Sequence, residues 1–420
     1  MKSRFSHILA QDGHWQHGSG NDGDDYTRLM TEIDFLLENE FPLGVALMVG
    51  EMDERFHREV GRIVGDHANE VSWVVSGPFI VVMFHQRLFG KLQSIWLLIA
   101  DSVDAACGVA FSDGFGNHTE ILHAARIALQ RAMAQSLNLL VLRPEEAALA
   151  VADHAIGATM KKSLAAGSGD FQAYFQPQVF INSGLPCGAE ALARWRPDDT
   201  DIPPSRFIPI AEEVGLIGAI GEMMFVRSAR AIKVMRRSGI EIPYIAVNVS
   251  PLQRRQGNLI KSILEILRDE KLSPSDIEIE ITESLVGNGG EEFLRWLADL
   301  SSAGFHIAVD DFGTGASSLA RICEVPAHKI KLDRNFIGSL PHDVSARAVC
   351  RSALDMLHSL GKKSLAEGVE LAAQATYLGA LDCAMGQGFY WGRPMAEGEL
   401  INWWKGARTE CAILEAGLTT

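Results

Sequence analysis

The chain has 420 residues, 47% of them hydrophobic and 22% charged, which is enough for two or three domains with a large core. Its net charge of −15 argues against a polymeric nucleic-acid partner, which needs a basic surface, but allows a small anionic substrate held through metal ions. The six cysteines form no CxxC pair and no apolar run reaches the ~18 residues of a membrane span, so we expect a cytoplasmic protein without zinc.

The first part of the chain mixes helical and strand patterns. Residues 1–25 are polar and lack the apolar core of a signal peptide, which predicts a flexible tail. Residues 26–146 predict a smaller α+β domain with an antiparallel hairpin at its centre. Its predicted elements are helices at Tyr26–Glu40, Glu54–Val64 and Thr119–Gln135, strands at Leu43–Val49 and Ala105–Ala110, and a hairpin over Val71–Phe84 that turns at Ser76–Pro78.

The second part of the chain alternates strands with helices. Residues 147–170 predict a connecting helix and linker, and residues 171–410 predict an α/β fold, a TIM-like (β/α) barrel. A long helix, Ser205–Arg237, is expected to break between Gly215 and Gly221. The barrel strands are predicted at Phe171–Phe180, Glu190–Trp195, Tyr244–Val249, Asp276–Thr282, His306–Asp310, Lys329–Leu332 and Ser364–Ala366.

One segment combines a strand, two acids and a flexible loop. Ile307–Val309 is apolar, Asp310 and Asp311 follow, and Gly313–Ser318 is rich in Gly, Thr and Ser. In an α/β barrel this layout is typical of the carboxyl ends of strands, where catalytic residues collect. Adjacent carboxylates repel each other unless a divalent cation lies between them. A solvated turn is the alternative interpretation, and this segment alone leaves both open.

Polar residues recur at or just past the ends of the barrel strands. They are Glu190, Asn248, Glu280 with Glu283, Asp310 with Asp311, Lys331, Glu367 and Gln387. Many oxygen donors with few His or Cys residues predict a hard cation, Mg²⁺ or Mn²⁺. Asp311-Phe312-Gly313 also spells the kinase magnesium motif, but the chain has neither the Gly-rich loop with its following lysine strand nor the His-Arg-Asp loop of a kinase.

Several motifs between Phe171 and Pro394 carry a family resemblance. They include Tyr174-Phe175-Gln176-Pro177, Glu190-Ala191-Leu192, Asn248-Val249-Ser250, Glu280-Ile281-Thr282-Glu283, Asp310-Asp311-Phe312-Gly313, Lys331-Leu332-Asp333, Glu367-Gly368-Val369-Glu370 and Gln387-Gly388. With them the sequence resembles the EAL-domain phosphodiesterases. The resemblance implies hydrolysis of cyclic di-GMP to linear pGpG on a TIM-like barrel with two Mg²⁺ or Mn²⁺ ions, in a homodimer formed through this domain.

The resemblance also implies a role for each site residue. The first metal is implied to bind Glu190, Asn248, Glu280 and Asp310, and the second to bind Asp310, Asp311 and Glu367. Lys331 matches the lysine that holds and helps to deprotonate the attacking water, and a lysine beside two cations should have a lowered pKa. Gln387 matches the glutamine next to that water. Gln176, Leu192 and Arg194 match substrate contacts.

Glu283 matches the glutamate that anchors the loop from Asp311 to Ser318. It follows Glu280 by three residues, so a strand of period two cannot point both side chains the same way. We therefore expect Glu283 past the strand end, turned toward that loop. Ala316 stands in the loop where the family usually has an aromatic residue, but this departure removes no ligand.

The smaller domain resembles a GGDEF domain, the diguanylate cyclase module. The resemblance rests on the hairpin Trp73–Val82 and the helix around Ile121–Leu129. The acids of the family signature are replaced by Pro78 and Phe79, and the usual acid of the late helix is Arg126. A site for two metals and GTP phosphates cannot work with these residues. The resemblance thus implies a degenerate, regulatory domain without cyclase activity.

A second function class competes with the enzyme. Members of this family can resemble the enzyme and yet act as cyclic di-GMP receptors or protein-interaction modules. Loss of a metal ligand, the lysine or the loop glutamate distinguishes them. Because all of these residues are present here, the sequence favours the phosphodiesterase.

Overall fold

In this computed structural model two compact units, unit 1 (Met1–Ile156) and unit 2 (Gly157–Thr420), make up the chain. The predicted tail up to residue 21, the predicted helix Glu54–Val64, the turn at Gly77 and Pro78, and loop residues 314–318 lie outside the described residues. Within the described part, no helix combines the length and apolar character needed to cross a lipid bilayer. The structure describes residues 22–38, 42–49, 71–76, 79–90, 92–93, 96, 106–112, 115, 117–134, 137–167, 169–255, 258–288, 290–313 and 319–417.

Unit 1 is an α+β unit built on one sheet. Its strands are β1 (Leu43–Val49), β2 (Val71–Ser76), β3 (Phe79–His85), β4 (Ala106–Phe111) and β5 (Leu139–Leu142). Its helices are α1 (Asp22–Glu38), α2 (His118–Ala134) and α3 (Pro144–Ala166), which takes the place of the predicted connecting helix and crosses from unit 1 into unit 2. Helix α1 begins four residues before the predicted Tyr26, where acidic residues favour the first turn of a helix.

The strand order β2-β3-β1-β4-β5 corrects the predicted position of the hairpin. Strands β2 and β3 do form an antiparallel hairpin, but it lies at one edge of the sheet and β1 lies at the centre. The physical reason is that Leu43–Val49 is apolar throughout, so it is most stable with a partner strand on each side. The prediction also missed β5, since four residues are too short for a periodic signal. The resemblance of this unit to a cyclase module stays a prediction.

Helix α2 lies very close to the sheet of unit 1. A Cβ atom added at Gly108 of β4 would lie 2.1 Å from the backbone nitrogen of Leu129 and 2.3 Å from the carbonyl oxygen of Ala125. Both contacts are with backbone, which cannot move aside as a side chain can. Only glycine therefore permits this helix-to-sheet distance, and the buried alanines of α2 complete the contact.

Unit 2 contains the remaining elements. Its strands are β6 (Phe171–Phe180), β7 (Pro186–Trp195), β8 (Ile245–Asn248), β9 (Ile277–Thr282), β10 (His306–Phe312), β11 (Lys329–Leu332), β12 (Lys363–Ala366) and β13 (Met385–Gln387). Its helices are α4 (Pro204–Glu213), α5 (Ile217–Arg237), α6 (Pro251–Arg255), α7 (Leu259–Glu270), α8 (Glu283–Asn288), α9 (Glu291–Ser302), α10 (Leu319–Glu324), α11 (Arg334–Ile337), α12 (Val344–Ser359), α13 (Ala372–Gly379) and α14 (Glu397–Gly417). The predicted break in the long helix is present as the gap between α4 and α5, where Gly215 has a φ of 75°.

The eight strands of unit 2 close into a barrel, which confirms the predicted TIM-like fold. From β7 through β13 each neighbouring pair is parallel, whereas β6 is antiparallel to both β7 and β13. Strand β6 is reversed because a tight turn, with Gly184 at a φ of 69°, joins it to β7 where a helical crossover would be needed for a parallel pair. Strand β13 has three residues and was not predicted as a strand.

A pair of histidine rings in unit 1 makes the stability of that unit depend on pH. The ring centroids of His123 and His154 lie 4.1 Å apart, and Arg126 Nη2 lies 3.1 Å from His154 Nε2. Burial, helped by His154 and Arg126, lowers the pKa of His123 from 6.5 to about 4. The unfolded chain binds this proton at the ordinary pKa, so lowering the pH from about 6.5 to about 4 favours unfolding.

We predict that this proton uptake lowers the stability of unit 1 by ~1–2 kcal/mol across that range, after allowance for solvent screening of a half-buried ring. Replacing His123 by glutamine should remove that part of the pH dependence. Hydrogen exchange of α2 amides in the full chain, compared between the two proteins at pH 7 and pH 5, measures it. The same pH dependence in both proteins would contradict the prediction.

Candidate metal centre

The predicted strand-end residues meet at one rim of the barrel. Because the strands from β7 through β13 are parallel, their carboxyl ends lie at the same end. The rim brings together carboxylates from three strands and one strand-following loop around a single lysine. The group comprises Glu190 of β7, Glu280 of β9, Asp310 and Asp311 of β10, Lys331 of β11 and Glu367 after β12.

A bulge in β10 turns two successive acids toward this group. The register with β11 shifts between Val309 and Phe312, and Asp311 has a φ of 58°, in the left-handed region. A regular strand would point Asp310 inward and Asp311 to the opposite face. The bulge instead brings both carboxylates within 4.8 Å of Glu367. Backbone strain at a non-glycine residue is thus used to place a carboxylate.

Lys331 is completely buried, and four carboxylates surround its ammonium group. Its Nζ lies 2.7 Å from Glu367 Oε1, 2.9 Å from both Glu280 Oε2 and Asp310 Oδ2, and 3.5 Å from Glu190 Oε2. One positive charge therefore faces several negative ones in a region of low dielectric. Such an imbalance is costly unless further positive charge is present.

The pKa values reflect this surplus of negative charge. Burial raises the pKa of Glu367 to about 8 in spite of Lys331, and burial together with Glu190 raises the pKa of Glu280 well above its usual range. Burial and Asp310 raise the pKa of Asp311. Burial alone would lower the pKa of Lys331, but the carboxylates outweigh it and raise that pKa. The predicted lowering applies to a lysine beside two cations, and the protein's own groups give the opposite direction.

The donor set fits hard divalent cations. Glu190, Glu280 and Asp310 form one group of oxygens within 4.8 Å of each other, and Asp310, Asp311 and Glu367 form a second. Glu280 Oε1 is buried and has no hydrogen-bond donor among the described residues. A buried carboxylate oxygen without a donor and carboxylates with raised pKa values are both features that a bound cation would relieve. Asp310 belongs to both groups.

Two amides orient Glu190. Asn248 Nδ2 donates to Glu190 Oε1 at 2.7 Å, and Gln387 Nε2 donates to Glu190 Oε2 at 2.6 Å and to Gln176 Oε1 at 3.1 Å. The amide oxygen of Asn248 remains as the atom that could bind a cation. The amide hydrogens of Gln387 are committed to protein partners, which makes this side chain a support for Glu190.

The three predicted substrate contacts lie on the hairpin β6–β7. Gln176 pairs with Glu190 across the two strands, and its amide also donates to the Gly392 carbonyl at 3.1 Å, so it is used within the protein. Leu192 and Arg194 follow Glu190 at intervals of two and share its face of β7. Sequence reasoning missed Tyr174, which lies opposite Leu192 on β6.

Two arginines pack on the ring of Tyr174. The guanidinium carbons of Arg194 and Arg196 lie 5.6 Å and 5.5 Å from its ring centroid, and Arg196 Nη1 donates to its hydroxyl at 3.3 Å. Cation–π contacts of this kind hold guanidinium groups at a defined place. The sequence did carry a signal for Tyr174. It precedes Gln176 by two residues on a predicted barrel strand, so both side chains lie on the same face.

Glu283 lies past β9 at the start of α8, turned toward the loop after β10, as predicted. Its Oε2 accepts a hydrogen bond of 2.7 Å from the backbone nitrogen of Gly313. Gly313 has a φ of 98°, and a Cβ atom there would lie 1.9 Å from the ring of Phe336. The position directly after Asp311 and Phe312 is therefore fixed by one hydrogen bond and one close packing contact.

Comparison with known proteins links this geometry to a family. A family model described as the EAL domain matches residues 160–394. The chain is similar to the bifunctional diguanylate cyclase/cyclic di-GMP phosphodiesterase MucR of Pseudomonas aeruginosa, with 38% identity over 229 residues that cover 54% of this chain and 33% of MucR. It is also similar to the cyclic di-GMP phosphodiesterase RocR of the same organism, with 34% identity over 241 residues, or 57% of this chain and 61% of RocR.

A solved structure supports the same comparison. A chain described as the PaMucR phosphodiesterase in a c-di-GMP complex matches with a TM-score of 0.56 and 36% identity, over 58% of this chain and 99% of that chain. The matched parts cover less than two thirds of the length of MucR and RocR.

The contact between Glu283 and Gly313 generates a prediction about the metal centre. We expect Glu283→Ala to free the backbone after Asp311 and so weaken Mn²⁺ binding by the group that contains Asp311, by about 10-fold. A Mn²⁺ titration followed by electron paramagnetic resonance measures the binding, and hydrogen exchange of the amides after Phe312 measures the loop. Glu291→Ala, which changes an exposed glutamate on α9, is the control. Superimposable titrations of Glu283→Ala and the unaltered protein would refute the coupling.

Proposed function

The chain belongs to the EAL domain family, and on that premise we propose that it hydrolyses cyclic di-GMP to linear pGpG with bound divalent cations. The observation that carries the proposal is the pair of carboxylate groups that share Asp310 beside the buried Lys331. Similarity to proteins named as cyclic di-GMP phosphodiesterases supports the choice of substrate. A dimer formed through residues 171–410 stays a prediction.

The two carboxylate groups supply the proposed ligands for two ions, Mg²⁺ or Mn²⁺. Glu190, Asn248, Glu280 and Asp310 would hold one ion, and Asp310, Asp311 and Glu367 would hold the other. Bound cations of this kind lower the pKa of a coordinated water and stabilise charge that develops on a phosphodiester. Oxygen donors without His or Cys fit Mg²⁺ and Mn²⁺ better than softer metals.

Lys331 is the proposed proton-handling group. In the proposed reaction the oxygen of a water molecule forms a bond to one phosphorus of cyclic di-GMP, the bond from that phosphorus to the ribose 3′ oxygen breaks, and the 3′ oxygen ends as a hydroxyl. A proton must therefore leave the water and another must reach the 3′ oxygen. Lys331 Nζ, at the centre of the carboxylates, would hold that water and exchange a proton with it.

The rim beside Glu190 is the proposed substrate surface. Arg194 and Arg196, both stacked on Tyr174, supply local positive charge in a chain whose net charge is −15. A guanidinium suits a phosphodiester because its planar N–H groups match phosphate oxygens. Leu192, between Glu190 and Arg194, supplies apolar surface for a base.

Hydrolysis should depend strictly on added metal. We expect pGpG to form with Mg²⁺ or Mn²⁺, to disappear in EDTA and to fall when Ca²⁺ replaces Mg²⁺, because Ca²⁺ relaxes the tight geometry of the site. Chromatography of the nucleotide products measures this. Binding of cyclic di-GMP without any product in Mg²⁺ or Mn²⁺ would identify a receptor and reject the enzyme.

Replacing Lys331 by methionine should lower kcat by ~10²–10⁴-fold, the usual contribution of a positioned acid or base, with a smaller change in KM. The methionine keeps most of the buried side-chain volume while it removes the proton-handling group. Lys363→Met is the matched control, since it changes an exposed lysine at the amino end of β12, away from the rim that carries Lys331. Turnover within a few-fold of the unaltered protein would show that Lys331 has a structural role only.

A further inference from the structure

Below the carboxylates, the barrel contains a second layer of buried polar side chains. Glu278 and Lys329 precede Glu280 and Lys331 by two residues, so they share the inner face of β9 and β11. Glu278 is completely buried and Lys329 is 1% exposed. Barrel interiors are usually filled by branched apolar side chains, and a buried ion pair is no better for stability than an apolar pair. This layer therefore calls for an explanation beyond packing.

Hydrogen bonds join this layer into a continuous series. Lys329 Nζ donates to Glu278 Oε1 at 2.7 Å and to the Tyr244 hydroxyl oxygen at 2.6 Å, and the Tyr244 hydroxyl donates to Gln178 Oε1 at 2.7 Å. Gln178 Nε2 donates to Gln387 Oε1 at 2.9 Å. Gly188 makes room for the series, because a Cβ atom there would lie 2.4 Å from the Tyr244 ring.

The direction of each bond in the series follows from its first member. An ammonium group can only donate, so the Tyr244 oxygen accepts from Lys329. The Tyr244 hydrogen goes to Gln178 Oε1 at 2.7 Å, since its other acceptor, Met385 Sδ, is a weak one at 3.9 Å. That bond fixes the oxygen of Gln178 on this side and its NH₂ group on the side of Gln387. Gln387 then accepts through its oxygen and turns its NH₂ group toward Glu190. A reversed Gln387 amide would place its oxygen against the Glu190 carboxylate.

We propose that Lys329, Tyr244 and Gln178 are positioning residues for the metal centre, which fix the amide of Gln387 so that it orients Glu190. We call Lys329, Tyr244, Gln178 and Gln387 the amide relay. This inference rests on the proposed function for its effect on turnover. Its effect on cation binding arises because Glu190 is a proposed metal ligand, and that effect does not depend on the identity of the substrate.

The sharpest test is Gln178→Glu, which replaces the amide NH₂ group by a carboxylate oxygen and keeps the shape of the side chain. The introduced carboxylate still accepts from Tyr244, and Lys329 Nζ, 3.4 Å from Gln178 Oε1, compensates its charge. It cannot donate to Gln387, so the Gln387 amide is driven to reverse. Two effects of this variant, the added negative charge and the lost orientation of Glu190, predict opposite changes in cation affinity. Added negative charge alone would tighten cation binding, whereas loss of Glu190 orientation weakens it.

We expect Gln178→Glu to weaken Mn²⁺ binding by about 10- to 100-fold, the usual effect of losing a support of a metal ligand, and to lower kcat more than it changes KM. The unfolding midpoint should stay near that of the unaltered protein. Mn²⁺ binding is measured on the full chain by electron paramagnetic resonance, without substrate. Unchanged or tighter Mn²⁺ binding would overturn the proposal.

Gln374→Glu provides the matched control. Gln374 is also buried, and its amide contacts only backbone groups: Oε1 accepts from Glu370 and Leu371 before α13, and Nε2 donates to the Ile337 carbonyl at the end of α11. Its replacement by glutamate therefore also buries a carboxylate and removes an amide donor, but away from Glu190. We expect Mn²⁺ binding of this variant to equal that of the unaltered protein. A loss equal to that of Gln178→Glu would also overturn the proposal, since it would reflect a buried charge in general.

A second variant covers the case in which Gln178→Glu does not fold. The double variant Glu278→Gln with Lys329→Met replaces the buried ion pair by neutral side chains of similar size and removes the donor that sets the direction of the relay. The same loss of Mn²⁺ affinity is expected, and unchanged affinity would reject the proposal. If the unaltered protein fails to hydrolyse cyclic di-GMP, the proposed function fails, while Mn²⁺ binding still decides on the relay.

Discussion

The metal centre depends on one ammonium group that carboxylates from four places in the barrel share. Glu190, Glu280, Asp310 and Glu367 are far apart in sequence, and Lys331 contacts all of them only when the barrel is closed. Burial of an unpaired carboxylate costs several kcal/mol, on the order of the whole stability of a small domain. The charges that make the site chemically useful therefore also oppose folding, and Lys331 and any bound cation offset that cost. The same carboxylates therefore affect both the stability of the barrel and the chemistry of the site.

Much of the fold could be predicted from the sequence because long strands and helices carry a periodic signal. Strands β1, β6 and β11 begin and end at the predicted residues. Short strands such as β5 and β13 carry no such signal. The direction of β6 could not be predicted from its own residues, since it depends on the length of the turn that follows. The position of β1 likewise depended on which strands became its neighbours.

The composition of the site could be predicted, but its internal geometry could not. Parallel strands bring their carboxyl ends to one rim, so Glu280, Asp310 and Lys331 could be predicted to meet there. Glu190 begins its predicted strand but lies in the middle of β7, and the family resemblance assigned it to the site. Asp310 and Asp311 face the same way because of a bulge in β10, and no local pattern in the sequence predicts that bulge. The direction of the Gln387 amide depends on Lys329, two strands away around the barrel, and on Tyr244, which precedes β8 three strands away on the other side. Such contacts are set by register around the closed barrel, which no local pattern contains.

The reversed direction of β6 decides where the chain enters the barrel. In an all-parallel barrel the first strand begins at the end opposite the site. Here Phe171, the first residue of β6, pairs with Trp195, the last residue of β7, so the chain arrives at the rim that carries the candidate metal centre. Asp170 Oδ2 accepts a hydrogen bond of 2.6 Å from Ser163 of α3 just before this point. The end of α3 is therefore tied directly to the strand that carries Gln176, and none of the other seven strands lies between them along the chain.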